Sequence, residues 1–402
     1  MAGLSLFLLL ALLAGVALVL TSGPHVAPER EDGVTPGAVD PAGAVRALAA
    51  LERAVGERQD PGAGPEDVAH IVANARRLRV TDFSLRYIDA TAPADDEGRW
   101  RAAVEATWRF AGFDTEVARA ELEVALRSAP SSPSGPSFRD GVVIESVGGA
   151  GRAPLWLATA VQVRRTPETL VLVAESADDA PRYAALARAA VPVVRRVLPS
   201  WRPRLVVEVP ASSRDLDRAL GAEPGTYAGI AAVTATVDGS RDRGAPTHVL
   251  VNPEEYDRLR RSGAQVVMSH EAVHVATGVA TSSMPLWLLE GFADYVALRD
   301  VDLPVSTTGA QIVRQVRERG APRALPDVRA FDVANGGLGA VYESAWLAAV
   351  VLAERAGEAG LVEVYESVRD GEDLDAVLDR IAGWDVDALT TAWRERLRDL
   401  AA

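Results

Sequence analysis

Residues 270–274 read HEAVH and residues 287–295 read WLLEGFADY. These two stretches decide what the C-terminal half of the chain folds into, because together they specify two helices that meet. On a helix, His270 and His274 lie one turn apart on the same face, so both imidazoles can reach one metal ion. Glu271 sits beside them, placed to act on a water at the metal rather than to bind the metal. The segment Pro285 to Leu298 (PLWLLEGFADYVAL) is almost wholly apolar around Glu290. A carboxylate in such a helix is costly to bury unless it is paired or coordinates a metal. Between the two stretches, Gly278 is a helix stop and Pro285 a helix start. The short connection GVATSSM (278–284) therefore predicts two antiparallel helices with facing sides.

A hydrolytic zinc site needs three protein ligands and one open position. Elimination leads to the third. The chain has five histidines, at 25, 70, 248, 270 and 274, so none follows His274. That excludes the long metzincin signature, whose later Gly and His positions are here Thr277 and Ala280. The chain has no cysteine, so a thiolate ligand is impossible. Glu290 is the first acidic residue after the pair. Asp294, four residues further on the same face, can orient a ligand imidazole through its free ring nitrogen. A His-His-Glu set with an open position favours Zn2+ over other divalent ions. The bland reading is an amphipathic helix with two solvated histidines and two surface acids.

HEAVH followed by WLLEGFADY resembles the gluzincin group of zinc peptidases. The pattern is most similar to the peptidase-MA-like proteins of high-GC bacteria, and more distantly to thermolysin and the aminopeptidase-N group, which the EGFA stretch at Glu290–Ala293 also resembles. The resemblance spans about residues 247–300 and extends less sharply to the C-terminus. It implies His270, His274 and Glu290 as zinc ligands, Glu271 as catalytic base, and Asp294 as the aspartate behind a ligand histidine. Residues 275–289 separate His274 from Glu290, fewer than in thermolysin, so thermolysin's substrate pocket is not carried over. Thermolysin-like enzymes stabilise the oxyanion with a histidine, which is lacking here; aminopeptidase-N-like enzymes use a tyrosine on a later helix. Tyr342, near the start of VYESAWLAAVVLAERAG and after the Gly-rich NGGLG (335–339), suits that role, or else is a core tyrosine. Tyr295 is the competitor and reads as a packing residue.

The rest of the chain frames these motifs. Its 402 residues allow two domains, and a net charge of −14 argues against nucleic acid as a partner. Leu4 to Leu20 is an uncharged apolar run at the lower limit for a membrane span. We expect residues 1–22 to be a membrane anchor or a signal segment, with the body outside the cytoplasm, either at the cell membrane or secreted. Residues 23–64 read as a linker with one helix at Ala42–Arg58, and His25 as a solvated linker residue. Residues 65–176 read as an accessory α+β domain: a helix (DVAHIVANARRL) packed on a curved antiparallel sheet, cone-like in the manner of the nuclear-transport-factor fold. Its strand-like runs include LWLATAVQVRRTPETLVLVAES, and a Ser/Pro loop lies at 130–137. His70, on that helix, reads as structural.

Residues 177–402 read as the gluzincin-like domain. A long helix at Asp179–Leu198 precedes the strand runs 204–210, 229–237 and 247–253, which with the HEAVH helix form an upper lobe. Only helices follow Pro285, giving an all-α lower lobe. His248 alternates with apolar residues on its strand, so it either lines the cleft or is a strand-face histidine with no metal role. The expected class is therefore α+β, and the expected activity is peptide-bond hydrolysis on a peptide or protein substrate. The alternative is a catalytically silent metal- or peptide-binding envelope protein that keeps the zincin fold. The intact Glu271 speaks against it, since metal binding alone requires no base there. Oligomeric state is not legible.

Overall fold

In the computed structural model the described residues are 38–57, 68–128, 141–149, 151–174, 179–242, 244–278, 284–332 and 337–402. The apolar run Leu4–Leu20, His25, the 130–137 loop, most of the 278–284 connection and part of NGGLG lie outside them. Among the described residues, no helix is long and apolar enough to cross a membrane.

The N-terminal part opens with α1 (Pro41–Glu57) and α2 (Ala69–Leu78). Four strands follow, β1 (Val80–Ala92), β2 (Arg99–Phe110), β3 (Ala118–Ser128) and β4 (Val142–Val147), paired in sequence order. All three pairings are antiparallel. Alternation along β2 explains the sheet's two faces. Trp100, Ala102, Val104, Ala106, Trp108 and Phe110 turn inward, while Arg99, Arg101 and Glu105 turn outward into ion pairs. Register shifts in β1 at Thr81/Ser84, Tyr87/Asp89 and Ala90/Ala92 bend that strand. Helix α1 consequently packs against both β1 and β4, the two edges of the same sheet. Here the expected helix on a curved antiparallel sheet is seen.

The next stretch departs from expectation. Residues 155–158 form a single helical turn, α3 (Leu155–Ala158), rather than a strand. Pro154 starts it, and the buried Asn74 of α2 binds the carbonyls of Trp156 and Thr159 and accepts from Val161 N–H. His70 also takes a structural part, with Nε2 2.9 Å from the Leu157 carbonyl. Strands β5 (Val161–Arg165) and β6 (Thr169–Ala174) then leave the first sheet. They join β7 (Leu205–Val209), β8 (Ala232–Thr236) and β9 (Thr247–Val251) in a second sheet of order β5-β6-β7-β9-β8. The β6–β7 and β7–β9 pairings are parallel, and the two edge pairings are antiparallel.

The second sheet is covered on both faces, which is why β6 and β7 are continuously buried apolar runs. On one face, Leu170, Leu172 and Val206 share a core with the N-terminal sheet. On the other, Val171, Val173, Val207, Val249 and Val251 share a core with the helices that follow. Those include α4 (Asp179–Val197); α5 (Ser213–Leu220) instead packs over Leu250 on the first face.

After β9 the described chain is all helical: α6 (Pro253–Tyr256), α7 (Arg261–Thr277), α8 (Leu286–Leu298), α9 (Val305–Thr308), α10 (Ala310–Arg319), α11 (Leu338–Arg369), α12 (Leu374–Ala382) and α13 (Val386–Ala401). Helix α7 stops at Gly278 in the left-handed conformation, with φ of 65°, and α8 starts after Pro285, as expected. Gly357, with φ of 79°, breaks α11 into two segments. The molecule is thus α+β, with an antiparallel N-terminal sheet and an all-helical C-terminal region.

Candidate metal centre

Helix α7 carries HEAVH between the second sheet and α8, and its second half is buried. Helix α8 brings Glu290 and Asp294 to the opposite side. Three donor atoms converge. His270 Nε2 and His274 Nε2 are 3.0 Å apart, His270 Nε2 and Glu290 Oε2 3.1 Å, and His274 Nε2 and Glu290 Oε2 3.4 Å. Among the described residues this is the one cluster of three His, Cys, Asp or Glu side chains that could hold a metal ion.

The cluster fits zinc in donor type, spacing and charge. Ligand atoms around a tetrahedral zinc with bonds of about 2.0–2.1 Å lie roughly 3.3–3.4 Å apart, close to the three separations seen. His270 Nδ1–H donates to Asp294 Oδ1 at 2.7 Å, which directs its Nε2 lone pair toward the focus. Two imidazole lone pairs and a carboxylate facing one another require positive charge between them. The His270 imidazole is pushed well above its ordinary pKa. Burial alone would lower it, but Asp294 and then Glu290 raise it. Glu290 shows the complementary effect. Burial would raise its pKa, yet the charge of His274 and the hydrogen bonds of both histidines hold it well below the usual carboxylate range.

Close approach of α8 to α11 is set by Gly291. A methyl group there would lie 2.3 Å from the Ala345 carbonyl oxygen and 2.7 Å from its carbon. Without a side chain at 291 the two helices pack backbone to backbone, which brings Tyr342 of α11 alongside His270. Tyr342 lies inside α11, one turn past its start at Leu338. Its ring is 6.1 Å from that of His270 and edge-on to Phe331 at 5.4 Å. Burial raises the Tyr342 pKa, and the charges of Glu290, Glu271 and Asp294 raise it further, so the hydroxyl stays protonated. It takes no hydrogen bond from the described residues and is not sealed from solvent. Tyr295 differs: its hydroxyl donates to Glu358, which also binds Arg299, and its pKa is pushed up to about 12 by burial and that carboxylate.

Glu271 stands beside the donor triangle and is not one of its three members. Its Oε2 accepts a 2.7 Å hydrogen bond from Thr234 Oγ1 on β8. Neither Thr234 nor Phe331 is distinguishable in the sequence, where one is a strand threonine and the other a loop aromatic.

His248 is far from these groups in role. It is fully buried on the face of the second sheet turned toward the N-terminal unit and stacked on Phe110. Its Nδ1 lies 2.6 Å from Glu208 Oε1 and its Nε2 2.9 Å from Asp114 Oδ1. A carboxylate at each ring nitrogen requires both to carry protons. Burial would lower the His248 pKa, but Asp114 and then Glu208 raise it to about 9. An imidazolium thus clamps the turn after β2 to the second sheet. Compared with protein-family models and with curated proteins, the chain matches none.

Proposed function

We propose that this chain is an exported or membrane-anchored zinc metallopeptidase of the gluzincin type, with residues 177–402 contributing a zincin-type catalytic unit. The observation that carries the reading is the convergence of His270, His274 and Glu290, with the Glu271 carboxylate outside that set and the protonated Tyr342, whose ring is 6.1 Å from that of His270, beside it. Zinc held by those three residues would supply Lewis acidity toward a peptide carbonyl and a water. Glu271 takes a proton from the attacking water at its free Oε1 and passes it to the leaving nitrogen. The Tyr342 hydroxyl donates to the oxygen on which negative charge develops. Asp294 holds the His270 ring and fixes its tautomer. Supporting the zincin-type reading, β8 is the edge strand of a mixed sheet lying over the HEAVH helix, and everything after Pro285 in the described chain is helical. The apolar run Leu4–Leu20 supports export or anchoring. The substrate is a peptide or protein, and nucleic acid is no partner.

The test is hydrolysis of a peptide library by the full chain. Cleavage should be abolished by a chelator and restored by zinc. Glu271→Gln should retain zinc and lose nearly all turnover, because the base is not a ligand. Wild-type turnover in that variant would remove Glu271 from the mechanism.

A further inference from the structure

We infer that Thr234 positions the Glu271 carboxylate, so that one oxygen is anchored and the other faces the reacting water. The inference rests on the reading of Glu271 as general base. Thr234 sits on β8, paired opposite Val249 of β9, so its backbone is held by the sheet. Its Oγ1 lies 2.7 Å from Glu271 Oε2 and 3.2 Å from the Glu271 carbonyl oxygen. A hydroxyl has one proton, and it goes to the nearer, charged acceptor. Glu271 Oε1 takes no hydrogen bond from the described residues and is not sealed from solvent. The carboxylate is thus anchored through one oxygen and open at the other.

Neighbouring hydroxyls do not share this role. Tyr256 lies close enough to feel the Glu271 charge, but its own hydroxyl donates to the Ala264 carbonyl. Thr236, on the same face of β8, donates to the Ser240 carbonyl. A carboxylate on a helix has several χ rotamers, and a general base must keep one that reaches its proton. Thr234 selects that rotamer from outside the helix, by a bond from a strand that cannot rotate with it.

The test uses the full chain with Thr234→Val, which removes the hydroxyl and keeps the shape, and Thr234→Ser, which restores the hydroxyl. Thr234→Val should lower kcat by about 10- to 100-fold, the range for losing a supporting hydrogen bond to a working charged group. KM should stay within about two-fold and zinc content should be unchanged; Thr234→Ser should recover most of kcat. In a Glu271→Gln background, Thr234→Val should cost no further turnover. A crystal structure of Thr234→Val supplies a readout independent of activity: the Glu271 carboxylate should leave its wild-type position or split between rotamers. If the wild type cleaves no peptide, the peptidase reading fails, and that crystal structure alone decides the positioning. An unmoved Glu271 carboxylate in Thr234→Val, or a kcat equal to wild type, overturns the inference.

Discussion

Replacing Gly291 by Ala probes the contact that joins fold to site. The added methyl would meet the Ala345 carbonyl oxygen at 2.3 Å, its carbon at 2.7 Å and the Trp346 nitrogen at 3.3 Å. Unstrained carbon contacts begin near about 3.5 Å, so α8 and α11 must part by roughly 1 Å. All three obstructing atoms are backbone, so no rotamer change relieves the clash. Overpacking of this kind costs about 1–3 kcal/mol, and with backbone on the other side the upper end applies. The better helix propensity of Ala offsets about 1 kcal/mol. The net loss is then about 2 kcal/mol, or a melting point lower by roughly 4–8 °C at the 2–4 °C per kcal/mol of mid-sized domains. Glu290 precedes the substituted residue, and Tyr342 lies one turn before Ala345, so zinc affinity should fall as well. Gly56 is the control: nothing lies within 4 Å of a methyl group there, and Gly56→Ala in α1 should be neutral or stabilising. Scanning calorimetry and zinc titration on both variants read the outcome. If Gly291→Ala melts with the wild type and binds zinc equally well, the close helix crossing is not what holds Glu290 and Tyr342 together.

Three further outcomes follow from the same geometry. Asp294→Ala removes the 2.7 Å bond behind His270 and should weaken zinc binding about 10- to 100-fold, read by competition with a chelating dye; unchanged affinity would mean His270 orients without it. His248 has an ordinary pKa near 6.5 and a folded value of about 9, so its protonation stabilises the fold fully below pH 6.5 and that contribution is lost as pH rises through 9. Chemical denaturation should show stability falling by about 3 kcal/mol across that window, and Asp114→Asn should shift the fall to lower pH; a flat profile would contradict the imidazolium clamp. Tyr342→Phe should keep fold and zinc but lower kcat by on the order of 100-fold, whereas Tyr295→Phe, which removes only a bond to Glu358, should do much less; equal effects would undo the assignment.

Much of the site was legible because its spacing is local. His270 and His274 are one turn apart, Glu290 and Asp294 are one turn apart, and Gly278 and Pro285 mark where the two helices stop and start. What joins those helices to the sheet was less legible. The run LVLVA in β6 announces a buried strand but says nothing about its partner, and the structure pairs it with β7 rather than with the N-terminal sheet. Alternation along a strand reports which face a residue takes, not which layer covers that face. His248 illustrates this, since one of its two partners, Asp114, is 134 residues away in the turn after β2 of the other sheet. Thr234 carries no signal at all, because a hydroxyl on a β-branched residue suits a strand whether or not a carboxylate waits opposite.

We propose above all that His270, His274 and Glu290 together hold one metal ion. Zinc per chain, measured by elemental analysis of the full protein purified without chelators and set beside Glu290→Ala, tests it most directly. The wild type should carry about one zinc and the variant should lose most of it, since a hydrolytic site has three protein ligands to begin with. A wild type that binds no zinc, or a Glu290→Ala variant that keeps a full equivalent, would contradict it.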